Sequence, residues 1–172
     1  IFMKALLNKL GYLRNSISYD PDTTVIKDGS NIQLRTTVNF FVKPNQLFRL
    51  DSISHVINNN ELQALTDASR KNTVLKKGDP FAQPLVSEEL NRLVQLYREN
   101  GYLKFGFEQL SGVWDTLNLA ILRPNVDPFD VQFLEELKKR RDSPTVDLEI
   151  RFRPGYDVEK VKKYFGGNTT IF

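Results

Sequence analysis

The chain has 172 residues, one histidine, no cysteine and a formal net charge of +3. Disulfides and thiolate metal sites are excluded, and a lone histidine leaves only an all-carboxylate oxygen site for a metal. With 40% hydrophobic and 26% charged residues the chain suits about two small packed domains, and no run reaches the roughly 18 apolar residues of a membrane-spanning helix.

Residues 1–7 lack the layout of a signal peptide, so the chain is expected to open inside a folded element. Met3, Leu6 and Leu7 stand eight, five and four positions before Gly11, one face of a helix that a left-handed Gly11 would close. Tyr12 and Leu13 follow, where a strand can begin. Leu34, Thr36, Val38, Phe40 and Val42 then alternate as a strand stopped by Pro44. Residues 47–57 read as a further strand, and Asn58–Asn60 as a turn and helix start. Leu62, Leu65 and Ala68 mark a short amphipathic helix. Gly78, Pro80 and Pro84 make 73–86 a connecting loop. Ser87 is expected to cap a second helix, with Leu90, Leu93, Val94 and Tyr97 on its buried face.

Gly101-Tyr102-Leu103 then repeats Gly11-Tyr12-Leu13, with Leu93, Leu96 and Tyr97 at the same eight, five and four positions before the glycine. A strand is expected over 103–110, with Phe105 and Phe107 in the core. Asp115-Thr116 echoes Asp22-Thr23, and Val146, Leu148, Ile150 and Phe152 alternate up to Pro154. Gly101 lies 53 positions before Pro154 but Gly11 only 33 before Pro44, so the second copy carries an insertion around Leu119–Pro144. Asp127-Pro128 reads as the start of an inserted helix near 128–141. Phe129, Phe133, Leu134 and Leu137 share its face, and Lys138–Arg141 close it.

Residues 46–155 thus spell β-α-α-β-β, residues 1–45 the α-β-β end of a preceding module, and 156–172 a possible start of a further one. The expected class is α+β, each module a three-stranded mixed sheet covered by two helices. His55 reads as an ordinary strand residue. No GxxxxGK[ST] or GxGxxG run is present, and no carboxylate pair stands out for acid–base work. Lys138–Arg141 reads as a solvated helix end rather than a headgroup or nucleic-acid contact. Trp114, near a turn, is ambiguous between core and binding surface. No catalytic residue, cofactor or metal site is expected.

The string YRENGYLKFGFEQL (Tyr97–Leu110), the closing FRPG and the repetition in register resemble POTRA domains of BamA- and TamA-like outer-membrane assembly factors. The strand LFRLDSISHVI is most similar to TamL-type members from Bacteroidetes. The resemblance implies a periplasmic, non-enzymatic part of an outer-membrane protein anchored by a C-terminal barrel. Its partners would be unfolded outer-membrane polypeptides and accessory proteins of an assembly machinery. It also implies that Thr145–Arg153 is the central strand and that Leu103, Lys104, Phe105, Gly106, Phe107, Glu108, Gln109 and Leu110 form the edge where an extended polypeptide adds. The alternatives are a POTRA docking module of a division-type or two-partner-secretion protein, a small basic nucleic-acid-binding α/β domain, which the pI near 9.1 would suit, and, least favoured, a weakly signalled enzyme.

Overall fold

A computed structural model of the chain describes residues 2–29, 31–116 and 142–167, together with Glu135 and Lys138. The described elements are α1 (Phe2–Lys9), β1 (Ser16–Asp28), β2 (Asn31–Lys43), β3 (Arg49–Val56), α2 (Asn60–Ala68), α3 (Gln83–Glu99), β4 (Leu110–Asp115) and β5 (Thr145–Phe152), with short 3-10 turns between some of them. The α+β class holds. Among the described residues β1 and β2 pair only with each other, as an antiparallel hairpin, whereas β3, β5 and β4 form a separate sheet in that order.

That sheet is mixed. β3 runs parallel to the central β5, with a register shift between Leu50 and Ser52, and β4 runs antiparallel to β5. Alternation along β5 decides its faces. Val146, Leu148, Ile150 and Phe152 are buried beneath the helices, while Asp147, Glu149 and Arg151 lie on the other, open face. Leu62 of α2 and Leu90, Leu93, Val94 and Tyr97 of α3 meet Leu50, Phe105, Leu110 and Ile150 in one cluster. Full burial of each such side chain contributes roughly 1.5–3 kcal/mol. Asn59 caps α2 by accepting from the Leu62 amide.

Two expectations change. Helix α3 starts at Gln83, four positions before Ser87, because Pro84 sits in its first turn, where a missing N–H costs nothing. The expected strand over 103–110 is instead a turn and a 3-10 segment (Phe107–Gln109), and the strand begins only at Leu110. The turn is closed by the Phe105 amide donating to the Tyr102 carbonyl, which drives the Phe105 ring into the core against Tyr97 while Leu103 stays exposed. Phe107 is therefore off the parity expected of it and lies 39% exposed. The inserted helix near 128–141 lies outside the described residues, apart from Glu135 and Lys138, which have helical backbone. Residues 156–167 hold a 3-10 turn (Val158–Val161) and no strand, and Tyr156 and Val161 pack on the core.

Candidate functional site

The two edges of the three-stranded sheet differ. The β3 edge is occupied near its start by the loop 78–81: the Leu50 amide donates to Asp79 O (2.9 Å), Gly78 to Leu50 O (2.7 Å) and Phe81 to Phe48 O (2.8 Å). The β4 edge has no such cover among the described residues. Its register with β5 is regular, Leu110 opposite Phe152 through Asp115 opposite Asp147. The Arg153 amide donates to Gln109 O (2.8 Å), which sets the phase. Since bonded pairs alternate, Ser111 and Val113 face β5 with their main-chain groups, and Gly112 and Trp114 turn theirs outward. The Leu110 amide is already used, donating to Phe107 O.

Beside this edge, between β4 and α3, runs a groove of about 550 Å³. Phe81, Val86, Leu90, Phe107, Trp114 and Leu13 supply its apolar walls, and Asn8, Lys9, Gln83 and Ser87 its polar rim. Gly112 is its floor. A Cβ there would meet Val86 Cγ1 at 3.3 Å and Leu148 Cδ1 at 3.4 Å, so the glycine keeps the groove open. The Trp114 ring lies 5.3 Å from that of Phe81 and is 48% exposed. A strand added to β4 would alternate between side chains in this groove and side chains over the open face. Ser52, Ser54, Val113, Asp147, Glu149 and Arg151 make that open face mixed in charge.

The residues expected to form the edge scatter. Only Leu110 lies in β4, with its side chain in the core, and Phe107 lines the groove. Lys104 reaches Tyr164. Gly106 precedes the 3-10 turn. Glu108 pairs with Lys160 at 2.8 Å, and that bond holds its carboxyl down at about 2. Gln109 is buried and accepts from the Asp157 amide through Oε1 (2.9 Å). Trp114 and Gly112 lie beyond the edge expected from sequence; the one signal the sequence offers is the tryptophan itself, ambiguous there between core and binding surface.

His55 is more than a strand residue. Its Nε2 lies 3.1 Å from Oε1 of the fully buried Glu89, which also accepts from Arg92 (2.6 and 3.0 Å) and from the Val74 amide (3.0 Å). Burial pushes the Glu89 carboxyl up, but the bonds from His55, Arg92 and Val74 outweigh it and hold it at about 2. Arg92 also donates to Ser69 Oγ (3.1 Å). This cluster ties β3, α2, the loop after it and α3 together. Every member has a structural partner, and it lies apart from the groove, so we read it as a staple of the fold.

Among the described residues no group of three or more His, Cys, Asp or Glu is placed to hold a metal ion, and no helix is long and apolar enough to cross a membrane. No family model matches the chain, and no curated protein matches it. Among solved structures, the chain is similar to the crystal structure of Haemophilus influenzae BamA POTRA3-5, at 16% identity and a TM-score of 0.35, covering 87% of this chain and 46% of that one. The chain thus spans about half the length of that structure.

Proposed function

We propose that this chain is a polypeptide-docking part of an outer-membrane protein assembly or translocation factor, exposed to the periplasm, and that it binds extended segments by strand addition to β4. The observation that carries this reading is the outer edge of β4. Gly112 and Trp114 present main-chain donors and acceptors outward beside an apolar groove, while the loop 78–81 occupies the start of the opposite edge. Main-chain bonds supply most of the affinity in such binding, so it tolerates varied client sequences. The role is docking, not catalysis. The assignment to POTRA domains, and within them to the TamL type, rests on the sequence strings and on the β-α-α-β-β order of residues 49–152.

Residues 1–45 are proposed as the closing α-β-β part of a preceding module. The apolar face of the hairpin supports this. Ile17 with Val42, Tyr19 with Phe40, Pro21 with Val38 and Val25 with Leu34 form cross-strand pairs on one side, and most of these residues are exposed. A strand parallel to β2 and a helix over that face would complete it, as β3 and α2 complete the second copy.

Trp114 is the chain's single tryptophan and reports directly on the groove. Titrating an unfolded outer-membrane polypeptide segment should shift its emission to the blue. The same peptide N-methylated at alternate residues, in the register that faces β4, should bind at least tenfold more weakly. Equal binding by the N-methylated peptide would rule out strand addition.

A further inference from the structure

The chain contains the same small socket twice. In each copy a helix ends at a left-handed glycine, Gly11 (φ 94°) or Gly101 (φ 96°). The next amide, Tyr12 or Tyr102, reaches back to a carbonyl five residues earlier, Leu7 O at 3.0 Å or Tyr97 O at 3.1 Å. This closes the helix in the six-to-one pattern and leaves the glycine carbonyl pointing out.

In each copy that carbonyl is taken by the amide of an aromatic residue from the chain leaving the following β-hairpin. The Phe48 amide donates to Gly11 O at 3.0 Å, and the Tyr164 amide donates to Gly101 O at 2.8 Å. The residue three beyond the glycine is a cation, and it meets the captured ring. The Arg14 guanidinium carbon lies 5.3 Å from the Phe48 ring centroid, and Lys104 Nζ lies 5.3 Å from that of Tyr164. Both fall inside the range in which a cation is attracted to an aromatic ring. The neighbouring Tyr164 side chain raises the Lys104 pKa. The glycines are needed for space as well as for conformation. A Cβ on Gly11 would sit 2.6 Å from Phe81 O, and one on Gly101 3.0 Å from Tyr164 O.

The linkers between hairpin and captured ring differ in length and sequence. Phe48 follows β2 by five positions and is nearly fully buried, whereas Tyr164 follows β5 by twelve and crosses a 3-10 turn first. Two unlike linkers thus end on the same carbonyl and the same cation. Beyond Phe48 the chain enters β3 at once.

We propose that Gly-Tyr-Leu-(Arg/Lys) is an interaction site for an aromatic residue and its amide, and that it seats the chain leaving one α-β-β unit for entry into the next folded unit. On this proposal Phe48 is seated to start β3, and Tyr164 is seated to direct the chain that follows it. The inference stands apart from strand addition at β4 and survives if that reading fails.

The competing account is that other contacts hold 157–165, above all the Lys163–Glu61 ion pair (3.0 Å). Amide hydrogen exchange on the full 172-residue chain separates the two. Tyr164→Ala should speed exchange at position 164, corrected for intrinsic rate, by at least threefold more than Glu61→Gln does. Tyr164→Phe should keep most of the protection. Arg14→Ala should speed exchange at Phe48 about two- to fivefold, the range that an exposed cation on a ring supplies. Phe48 itself is too buried to be the test residue. If Glu61→Gln releases position 164 as much as Tyr164→Ala does, or if Arg14→Ala leaves Phe48 exchange unchanged, the socket is overturned.

Discussion

Residues 2–43 and residues 83–152 start from the same local pattern and end in different states. Both run helix, Gly-Tyr cap, strand and antiparallel strand. In the second copy, β3 pairs with the far side of β5 and α2 lies beside α3, and the faces so formed are buried to the last few per cent. In the first copy nothing pairs with the far side of β2 among the described residues, every residue of β2 is exposed, and α1 has no buried residue. Capping and alternation suffice to shape the elements. Burial needs the extra strand and helix, and a two-stranded ribbon is marginal without them. The fourth residue after each glycine records the difference. It is Phe105 in the core of one copy and Asn15 in the other, bonded to Asn8 and to Tyr12 O.

The largest expected effect follows from that contrast. Phe105→Ala should cost about 3–5 kcal/mol in denaturant unfolding, because it empties a fully buried site packed against Tyr97. Phe40→Ala, on the hairpin, should stay within about 0.5 kcal/mol. A comparable cost for Phe40→Ala would show that the hairpin face is covered in solution, and would break the comparison.

Next is the polar staple that, among the described residues, belongs to the second copy. Glu89→Gln should destabilise by roughly 3 kcal/mol at neutral pH, because it leaves His55 and Arg92 without the carboxylate they share. The sign with pH is fixed. The folded value of about 2 lies below the ordinary 4.5, so the stabilisation is present above 4.5 and is lost as pH falls toward 2. Urea unfolding across that window should therefore show a steeper loss in the parent than in Glu89→Gln. Equal slopes would remove Glu89 from the account.

Smaller effects sharpen the comparison at the repeated cap. Gly101→Ala should cost about 1–2 kcal/mol from the left-handed backbone alone. Gly11→Ala should cost more, because its Cβ would meet a main-chain carbonyl at 2.6 Å rather than 3.0 Å. Thermal unfolding of the two variants gives the order.

Much of this was legible in the sequence. Leu90, Leu93, Val94 and Tyr97 lie at helical spacing and all are buried, and the alternation of Val146 to Phe152 places each of its four apolar residues in the core. Phe105 and Phe107 have strand spacing, but a turn between Tyr102 and Phe105 sets their directions, so 103–109 do not form the strand that the spacing suggests. Pro84 reads as a breaker in sequence but occupies the first turn of α3, so the helix starts earlier than its apolar face suggests. The His55–Glu89 contact joins residues 34 positions apart, so no spacing announces it. The edge was expected in the right part of the chain but too early. Its outward groups come from Gly112 and Trp114, and the glycine's purpose appears only when Val86 and Leu148 are seen on either side of it.

Hydrogen exchange along β4, with and without a saturating extended polypeptide, tests the central claim most directly. In the free protein, Ser111 and Val113 should already be protected by β5, and Gly112 and Trp114 should exchange quickly. On binding, Gly112 and Trp114 should gain protection of at least tenfold while Ser111 and Val113 change little. That alternation is the signature of an added strand. Protection that rises evenly along β4, or appears only on α3, would contradict strand addition at this edge.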